Sequence, residues 1–146
     1  MKLDKPRVAR LTPRDGSRSD RLLREMQDGE LPHRIEKPWG HELWFAQTER
    51  YAGKLLHVRA GQRLSVQYHK EKDETSYLLS GRLRLSQGPS ADSLVTTELE
   101  AGAAWRSEPG QVHTIEALED VVVVEVSTPE LDDVVRLADN YGRAGA

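Results

Sequence analysis

The sequence predicts an all-β domain, built as a sandwich or a barrel. From residue 40 onward, eight short apolar or alternating runs follow one another at spacings of about ten residues, a pattern typical of all-β domains. Glycine and proline lie between the runs, where turns are needed. Apolar residues make up 37% of the chain and charged residues 31%, which indicates a globular domain with a polar surface.

The strands are predicted from their patterns of apolar residues. Leu83 and Leu85 alternate with Arg82 and Arg84, which predicts a strand with one face in the core and one in water. The run Val121–Val124 has no polar member and predicts a strand that is buried on both faces. The candidate strands are 41–47, 53–60, 63–69, 75–80, 82–87, 93–100, 112–118 and 120–127.

The ends of the chain differ from this β-rich part. Residues 1–34 are predicted to form an arm, and residues 35–146 a single domain. Within the arm, residues 1–17 are charged and predicted to be mobile, whereas residues 18–28 could form a short helix with one apolar face. The tail from residue 129 predicts a short turn or helix that packs on the domain.

Composition excludes several classes of function. The 146 residues include no cysteine, so disulfides, thiolate metal sites and cysteine nucleophiles are excluded, and any metal needs nitrogen or oxygen ligands. No apolar run approaches the ~18 residues of a membrane span, and the N-terminus lacks the apolar segment of a secretory signal, so we expect a cytoplasmic protein without a membrane partner. Lys and Arg exceed Asp and Glu by 9 to 6 in residues 1–35 and fall short by 12 to 18 in residues 36–146. This balance is unlike the clustered basic face of a nucleic-acid-binding protein.

Four potential metal ligands occur at informative spacings. Gln67 and His69 are two residues apart, so they share one face of a strand, and Glu74 follows across a turn. His113 lies at the start of another predicted strand, after a Pro-Gly pair. If these strands are neighbours, the four side chains face one point. Such a donor set suits one divalent ion of zinc, iron, manganese, cobalt or nickel and does not select among them, and we take zinc as the first candidate.

The segments that carry these residues resemble the two sequence motifs of the cupin superfamily. The first motif runs from Gly61 to Gly81 with the family's spacings, and the second from Gly102 to His113. The resemblance implies a single jelly-roll β-barrel and the ligand set above. Most cupins have histidine where this chain has Gln67, and the Gln-His-Glu-His set is associated with phosphomannose isomerases.

Three stretches extend the resemblance. EKPWGHELW (36–44), RAGQRLSVQYH (59–69) and DDVVRLADNYGR (132–143) are similar, in this order, to the C-terminal isomerase domain of type II mannose-6-phosphate isomerase/mannose-1-phosphate guanylyltransferases. The similarity covers roughly residues 35–143, and the guanylyltransferase domain has no counterpart. It implies a metal-dependent aldose–ketose isomerase for a sugar or sugar phosphate, and the family also leads us to expect a homodimer.

The chain departs from that family next to the metal ligands. The family pattern QxHHHRxEHW is replaced here by QYHKEKDETS, so Lys70 and Glu71 stand in place of two histidines and Lys72 in place of arginine. The ligand positions are kept while their surroundings differ, which leaves the substrate open. Two other functions therefore remain as alternatives. One is a metalloenzyme of another class, an oxygenase or a lyase, and the other is a non-catalytic sugar-binding or regulatory module.

An isomerase also needs a general acid or base and groups that hold the substrate. The candidates for the acid or base are Glu71, His57 and Lys54. Glu71 also shares a strand face with His69 and could replace Glu74 as a ligand, and His57 could equally be structural. Arg143 ends the third family stretch and could reach the site. The other candidates for binding a phosphate are Arg59 and Arg63.

Overall fold

A computed structural model describes residues 31–144, which form eleven strands. The strands are β1 (His33–Lys37), β2 (Gly40–Gln47), β3 (Ala52–Val58), β4 (Val66–Tyr68), β5 (Glu74–Ser80), β6 (Arg82–Gly88), β7 (Val95–Glu100), β8 (Ala104–Ser107), β9 (Val112–Ala117), β10 (Val121–Ser127) and β11 (Val135–Ala138). Within residues 31–144 no helix is long and apolar enough to cross a membrane. The predicted mobile segment 1–17 and helix 18–28 lie outside the described residues.

The strands form two antiparallel sheets that face each other. One sheet has the order β1-β2-β3-β10-β5-β8 and the other the order β11-β4-β9-β6-β7. Strands far apart in sequence are neighbours, as β3 and β10 are, which is how a jelly roll closes. Leu78 and Leu83 face each other's sheet from β5 and β6 and have no exposed surface. The prediction of an all-β barrel is confirmed.

The strand boundaries correct several details of the sequence prediction. The run 63–69 yields only the three-residue β4, because its first part is occupied by turn hydrogen bonds and an isolated bridge. The tail contains β11, not a helix, and β11 pairs with β4. Val121 and Val123 are buried but Val122 and Val124 are half-buried, so the valine run of β10 is fully buried on one face only. Tyr77, Leu79 and Val126 on the outer face of the six-stranded sheet are exposed.

Two glycines allow the turns that flank the ligand segment. Gly61 and Gly81 have φ values of 80° and 84°, in the left-handed region that side chains other than glycine rarely adopt. A Cβ at Gly81 would also collide with the backbone of Asp120. The segment between them therefore begins and ends at sharp turns.

Candidate metal centre

Three buried side chains from three different strand regions meet inside the barrel. His69 follows β4, Glu74 begins β5 and His113 is the second residue of β9. Glu74 Oε1 lies 3.4 Å from His69 Nε2 and 3.1 Å from His113 Nε2. One potential ligand atom from each residue lies within 4.8 Å of the others, which is compatible with a shared metal ion. These distances confirm that the two predicted motifs are brought together.

The hydrogen bonds of the two histidines test whether the group fits a metal. His69 Nδ1 lies 2.5 Å from the carbonyl oxygen of Asp133, and His113 Nδ1 lies 3.0 Å from that of Gln111. Both Nδ1 atoms therefore act as donors, and in a neutral ring this leaves the Nε2 lone pair facing Glu74. The contact that the structure gives the buried His113 Nε2 is Glu74 Oε1, at 3.1 Å. One carboxylate and two imidazole nitrogens that converge in this way can share a cation, so the residues fit a divalent metal.

The titration of the group in the metal-free protein follows from the same contacts. Burial alone would lower the pKa of His113, but the hydrogen bond and the charge of Glu74 outweigh it and raise that pKa. Burial would raise the pKa of Glu74, yet the two histidines and Lys72 hold it well below its usual range. Glu74 is therefore a carboxylate, the form in which it can bind a metal.

Gln67, the predicted fourth ligand, lies beside this group. It is the direct cross-strand partner of His113 and lines the same cavity as His69 and Glu74. Directly paired residues project from the same face of a sheet, so its amide is on the metal side. Its role as a ligand stays a prediction.

Asp133 holds the loop that carries the ligands. Its carboxylate accepts backbone N–H bonds from Lys70, Glu71 and Lys72 at 3.0, 2.7 and 3.0 Å, while its carbonyl contacts the ring of His69. The N–H groups lower the pKa of Asp133 against the opposing effect of burial. This residue was not predicted from the sequence, although it lies in the third family stretch.

Four buried charged residues line the wall next to the metal group. Lys72 Nζ lies 2.9 Å from Glu74 Oε2 and 3.5 Å from Glu125 Oε2. Lys54 Nζ lies 3.6 Å from Glu42 Oε2 and 3.7 Å from Glu125 Oε2. Burial and the nearby charge of Glu74 raise the pKa of Glu125. The wall thus holds a chain of alternating charges that leads directly to the metal group.

The three predicted acid or base residues are placed differently. Lys54 is buried and lines the cavity. Glu71 is exposed and outside the cavity lining, so the structure does not support it either as a base or as an alternative ligand to Glu74. His57 faces the outer side of the sheet and stacks on His41 with 4.3 Å between ring centroids. This position favours a structural role for His57 over a role as the general acid or base.

The predicted phosphate-binding residues also separate. Arg143 lines the cavity, whereas Arg59 is exposed, donates to the carbonyl oxygen of Pro38 and, like Arg63, is outside the lining. The binding of a phosphate by Arg59 or Arg63 stays a prediction. Three further cations that line the cavity, Lys37, Lys72 and Arg136, were not predicted as site residues from the sequence.

Comparisons with known proteins agree with this geometry. Residues 25–139 match the family model described as "Mannose-6-phosphate isomerase C-terminal". The chain is 32% identical over 124 residues to mannose-1-phosphate guanylyltransferase from Escherichia coli K12, an alignment that covers 80% of this chain. The chain spans about a quarter of the length of the curated relatives it matches.

Solved structures support the fold. A conserved protein with a double-stranded β-helix domain from Klebsiella pneumoniae matches with a TM-score of 0.60 and 22% identity, over 75% of this chain and 92% of that one. Oxalate decarboxylase from Bacillus subtilis matches with a TM-score of 0.62 and 17% identity, over 73% of this chain and 30% of that one. The Bacillus enzyme has Mn(II) centres. These similarities show the double-stranded β-helix, or cupin, fold.

Proposed function

Because the chain belongs to the mannose-6-phosphate isomerase C-terminal family, we propose that it is a metal-dependent aldose–ketose isomerase that acts on a sugar or sugar phosphate. The observation that carries this proposal is the group of His69, Glu74 and His113, of which His69 and Glu74 line a polar cavity. A buried lysine, Lys54, lies in the wall of this cavity, so a ligand held near the metal group would also lie near an amine.

In this proposal His69, Glu74 and His113 hold the metal, and Gln67 completes the set. When bound, a divalent cation supplies Lewis-acid polarisation of the substrate's oxygen atoms. The two histidines are already oriented by backbone carbonyls, so little rearrangement is needed to bind the ion. Zinc remains the first candidate, and the donor set is equally compatible with manganese or iron.

Isomerisation also moves a proton between two neighbouring carbons of the sugar. Lys54 is the predicted acid or base that lines the cavity, and its Nζ lies 3.7 Å from Glu125 Oε2. Both groups are buried, and burial and the charge of Glu74 raise the pKa of Glu125, which favours its protonated form. We propose that the Lys54–Glu125 pair exchanges protons with the substrate. Trp39 and Trp44 line the same cavity and would exclude water from the pair.

The test uses the full chain loaded separately with Zn²⁺, Mn²⁺ and Fe²⁺. We expect interconversion of mannose 6-phosphate and fructose 6-phosphate, or of the corresponding free sugars, with at least one of these metals. We also expect Lys54→Met to lower kcat while leaving the metal content unchanged. The matched control, Lys70→Met, removes an exposed lysine from the ligand loop and should leave both quantities unchanged.

The outcomes separate isomerisation from the alternatives. No exchange of solvent deuterium into any of these sugars by the metal-loaded protein would overturn the isomerase. If the sugars then bound without being changed, a non-catalytic binding module would be favoured. If only a redox-active metal bound and oxygen was consumed, an oxygenase would be favoured.

A further inference from the structure

We propose that the outer face of the six-stranded sheet is the surface through which two copies of this chain associate. The family resemblance predicts a homodimer but no surface for it, and the proposed function does not depend on one. The surface, called the outer patch, consists of six apolar side chains that point away from the barrel interior. They are Leu43 and Phe45 on β2, Leu55 on β3, Tyr77 on β5, and Val124 and Val126 on β10.

Four of these side chains lie in one row across the sheet. Leu55 pairs directly with Leu43 on one side and with Val124 on the other. Val124 pairs with Tyr77, and Tyr77 pairs with Ala104 on β8. Because direct cross-strand partners project from the same face, the row crosses five strands without a charged member. Leu43, Leu55 and Val124 are half-buried, and Tyr77 is 43% exposed.

A second row, next to the first, is also apolar. Val126 pairs directly with Gly53, and the ring of Phe45 lies so close to this glycine that a Cβ there would come within 2.6 Å of Phe45 Cζ. Val126 and Phe45 nevertheless remain 52% and 42% exposed. Large apolar side chains that stay exposed on adjacent rows of one sheet form a continuous patch. Such patches on soluble proteins mark interaction surfaces.

The size of this face is sufficient for a specific dimer. β2, β3, β10, β5 and β8 are five adjacent strands, which at about 4.8 Å per strand give a width of about 24 Å. The seven residues of β3 or β10, at about 3.3 Å each, give a length of about 23 Å. Two copies that share only the projected area, about 550 Å² each, would bury about 1,100 Å², which exceeds the about 1,000 Å² that a specific interface needs.

The charges at the edges of the outer patch favour a second copy over a charged partner. On β1, Arg34 and Glu36 flank one edge and are bonded to each other at 2.6 Å. On β8, Arg106 flanks the other edge and contacts Asp73 and Glu108. These edge charges are already paired within the chain, so two identical faces can meet without blocks of like charge. A strongly acidic or basic partner would gain little from groups that are already neutralised.

The N-terminal residues of the same chain are less suited to cover the outer patch. Residues 1–35 contain 9 Lys and Arg and 6 Asp and Glu, so more than two fifths of them are charged. The predicted helix 18–28, which lies outside the described residues, would be about 16 Å long and would cover only part of a face about 24 Å wide. A second copy presents two apolar rows of the same width, and face-to-face packing is how sheets pair in sandwiches.

The first measurement is sedimentation equilibrium of the full chain over a range of concentrations. We expect the mass to rise to twice that of one chain. Tyr77→Lys should weaken the association by about 100-fold or more, because each copy would then bury an unpaired ammonium group against an apolar row. Val95→Lys is the matched control, since Val95 is 72% exposed on β7 in the other sheet, and it should associate like the unmodified protein. A monomer at every concentration overturns the proposal, as does a dimer that Tyr77→Lys leaves intact.

Labelling of a single introduced cysteine tests the same surface without a change of charge. The chain has no cysteine, so each variant has one reactive thiol. In Val126→Cys the rate of reaction with a maleimide should fall at least about tenfold as the protein is concentrated into its dimer, whereas Val95→Cys should react at a constant rate. A thiol at position 126 that is protected in a monomer would show that the same chain covers the patch. One that stays reactive in a dimer would show that the copies meet elsewhere, and either result overturns the proposal.

Discussion

The two ends of the barrel interior are built by the same strands but hold opposite chemistry. At one end the inward-facing side chains are aliphatic, and at the other they are ionisable. From the apolar to the ionisable end, the series are Val58–Leu56–Lys54 on β3, Leu78–Ser76–Glu74 on β5, Ala117–Ile115–His113 on β9 and Val121–Val123–Glu125 on β10. The two-residue repeat of a strand decides which side chains face inward, but not which of them are apolar.

The difference between the two ends teaches how stability and function are separated along single strands. Each aliphatic side chain at the apolar end gains stability from burial alone. Each charge at the ionisable end is costly to bury unless it is paired, and replacing such groups with aliphatic ones is often neutral or stabilising. The ionisable end is therefore expected to contribute to ligand binding, and the apolar end to the free energy of unfolding. Substitutions at the two ends test this division.

The largest effect is expected at the metal group. His113→Ala removes one of the two imidazoles that face Glu74 Oε1, and the metal affinity should fall by more than the about 100-fold that loss of a supporting residue can cost. The measurement is elemental analysis after dialysis, followed by competition with a chelator. His57→Ala is the matched control, since His57 lies on the outer face of the sheet, and should retain one metal per chain. Full metal content in His113→Ala would show that the site lies elsewhere.

At the apolar end, Leu78→Ala should lower the free energy of unfolding by about 2–5 kcal/mol, because it leaves a cavity between the sheets. Leu79→Ala is a neighbouring control in which the side chain is 53% exposed, and it should change the free energy by about 0.5 kcal/mol or less. Urea unfolding measures the free energy of unfolding of both variants. The Leu78→Ala protein that remains folded should bind metal as before. A lost metal site would mean that the two ends are coupled.

Asp133 tests whether the ionisable end needs support that the apolar end does not. Asp133→Ala removes the acceptor of three backbone N–H groups in the ligand loop and leaves them with water as their partner. We expect metal affinity to fall by about 10- to 100-fold, the usual range for residues that orient ligands. Asp92→Ala, in an exposed loop, is the control. Equal metal affinity in the two variants would show that the loop holds its shape unaided.

Much of the metal group could be predicted from the sequence, because three of its residues lie close together along the chain. Gln67 and His69 share a strand face by the two-residue repeat, and Glu74 follows after one turn. The charged wall was harder to predict. The two-residue repeat places Glu125 on the same inward face as Val121 and Val123, which predicts its burial. An acidic residue near the end of a strand, however, suggests exposure. The burial of Lys72 could not be predicted, since it lies in a turn and its partner Glu125 is 53 residues away.

The structure of the C-terminal residues 132–143 also depends on long-range contacts that local sequence does not predict. β11 is four residues long and its burial pattern has no clear alternation, so no periodicity predicts it as a strand. Its structure is set by pairing with β4, and this pairing places Arg136 opposite Gln67. Local sequence could show that residues 132–143 resemble a family stretch, but not that Asp133 holds the ligand loop. Long-range contacts therefore supply most of the residues that surround the metal group.

The smallest expected effect is a pH dependence confined to the ionisable end. In the metal-free protein the pKa of His113 is raised above its ordinary value of about 6.5, chiefly by the hydrogen bond and charge of Glu74, which outweigh burial. The resulting stabilisation is fully present below about pH 6.5 and is lost as the pH rises through the folded-state pKa. Metal binding has the opposite dependence, because the ion needs the unprotonated Nε2.

The metal affinity should therefore rise about tenfold per pH unit below the folded-state pKa of His113 and level off above it. Glu74 adds nothing to this slope, since its pKa is held well below its usual range and it stays ionised near neutral pH. Chelator competition between about pH 6 and 8.5, together with thermal unfolding of the metal-free protein, measures both trends. The slope should persist in His57→Ala, whose imidazole lies on the outer face of the sheet. A metal affinity that is independent of pH, or a metal-free protein that gains stability as His113 loses its proton, would show that the group does not exchange a proton for the metal.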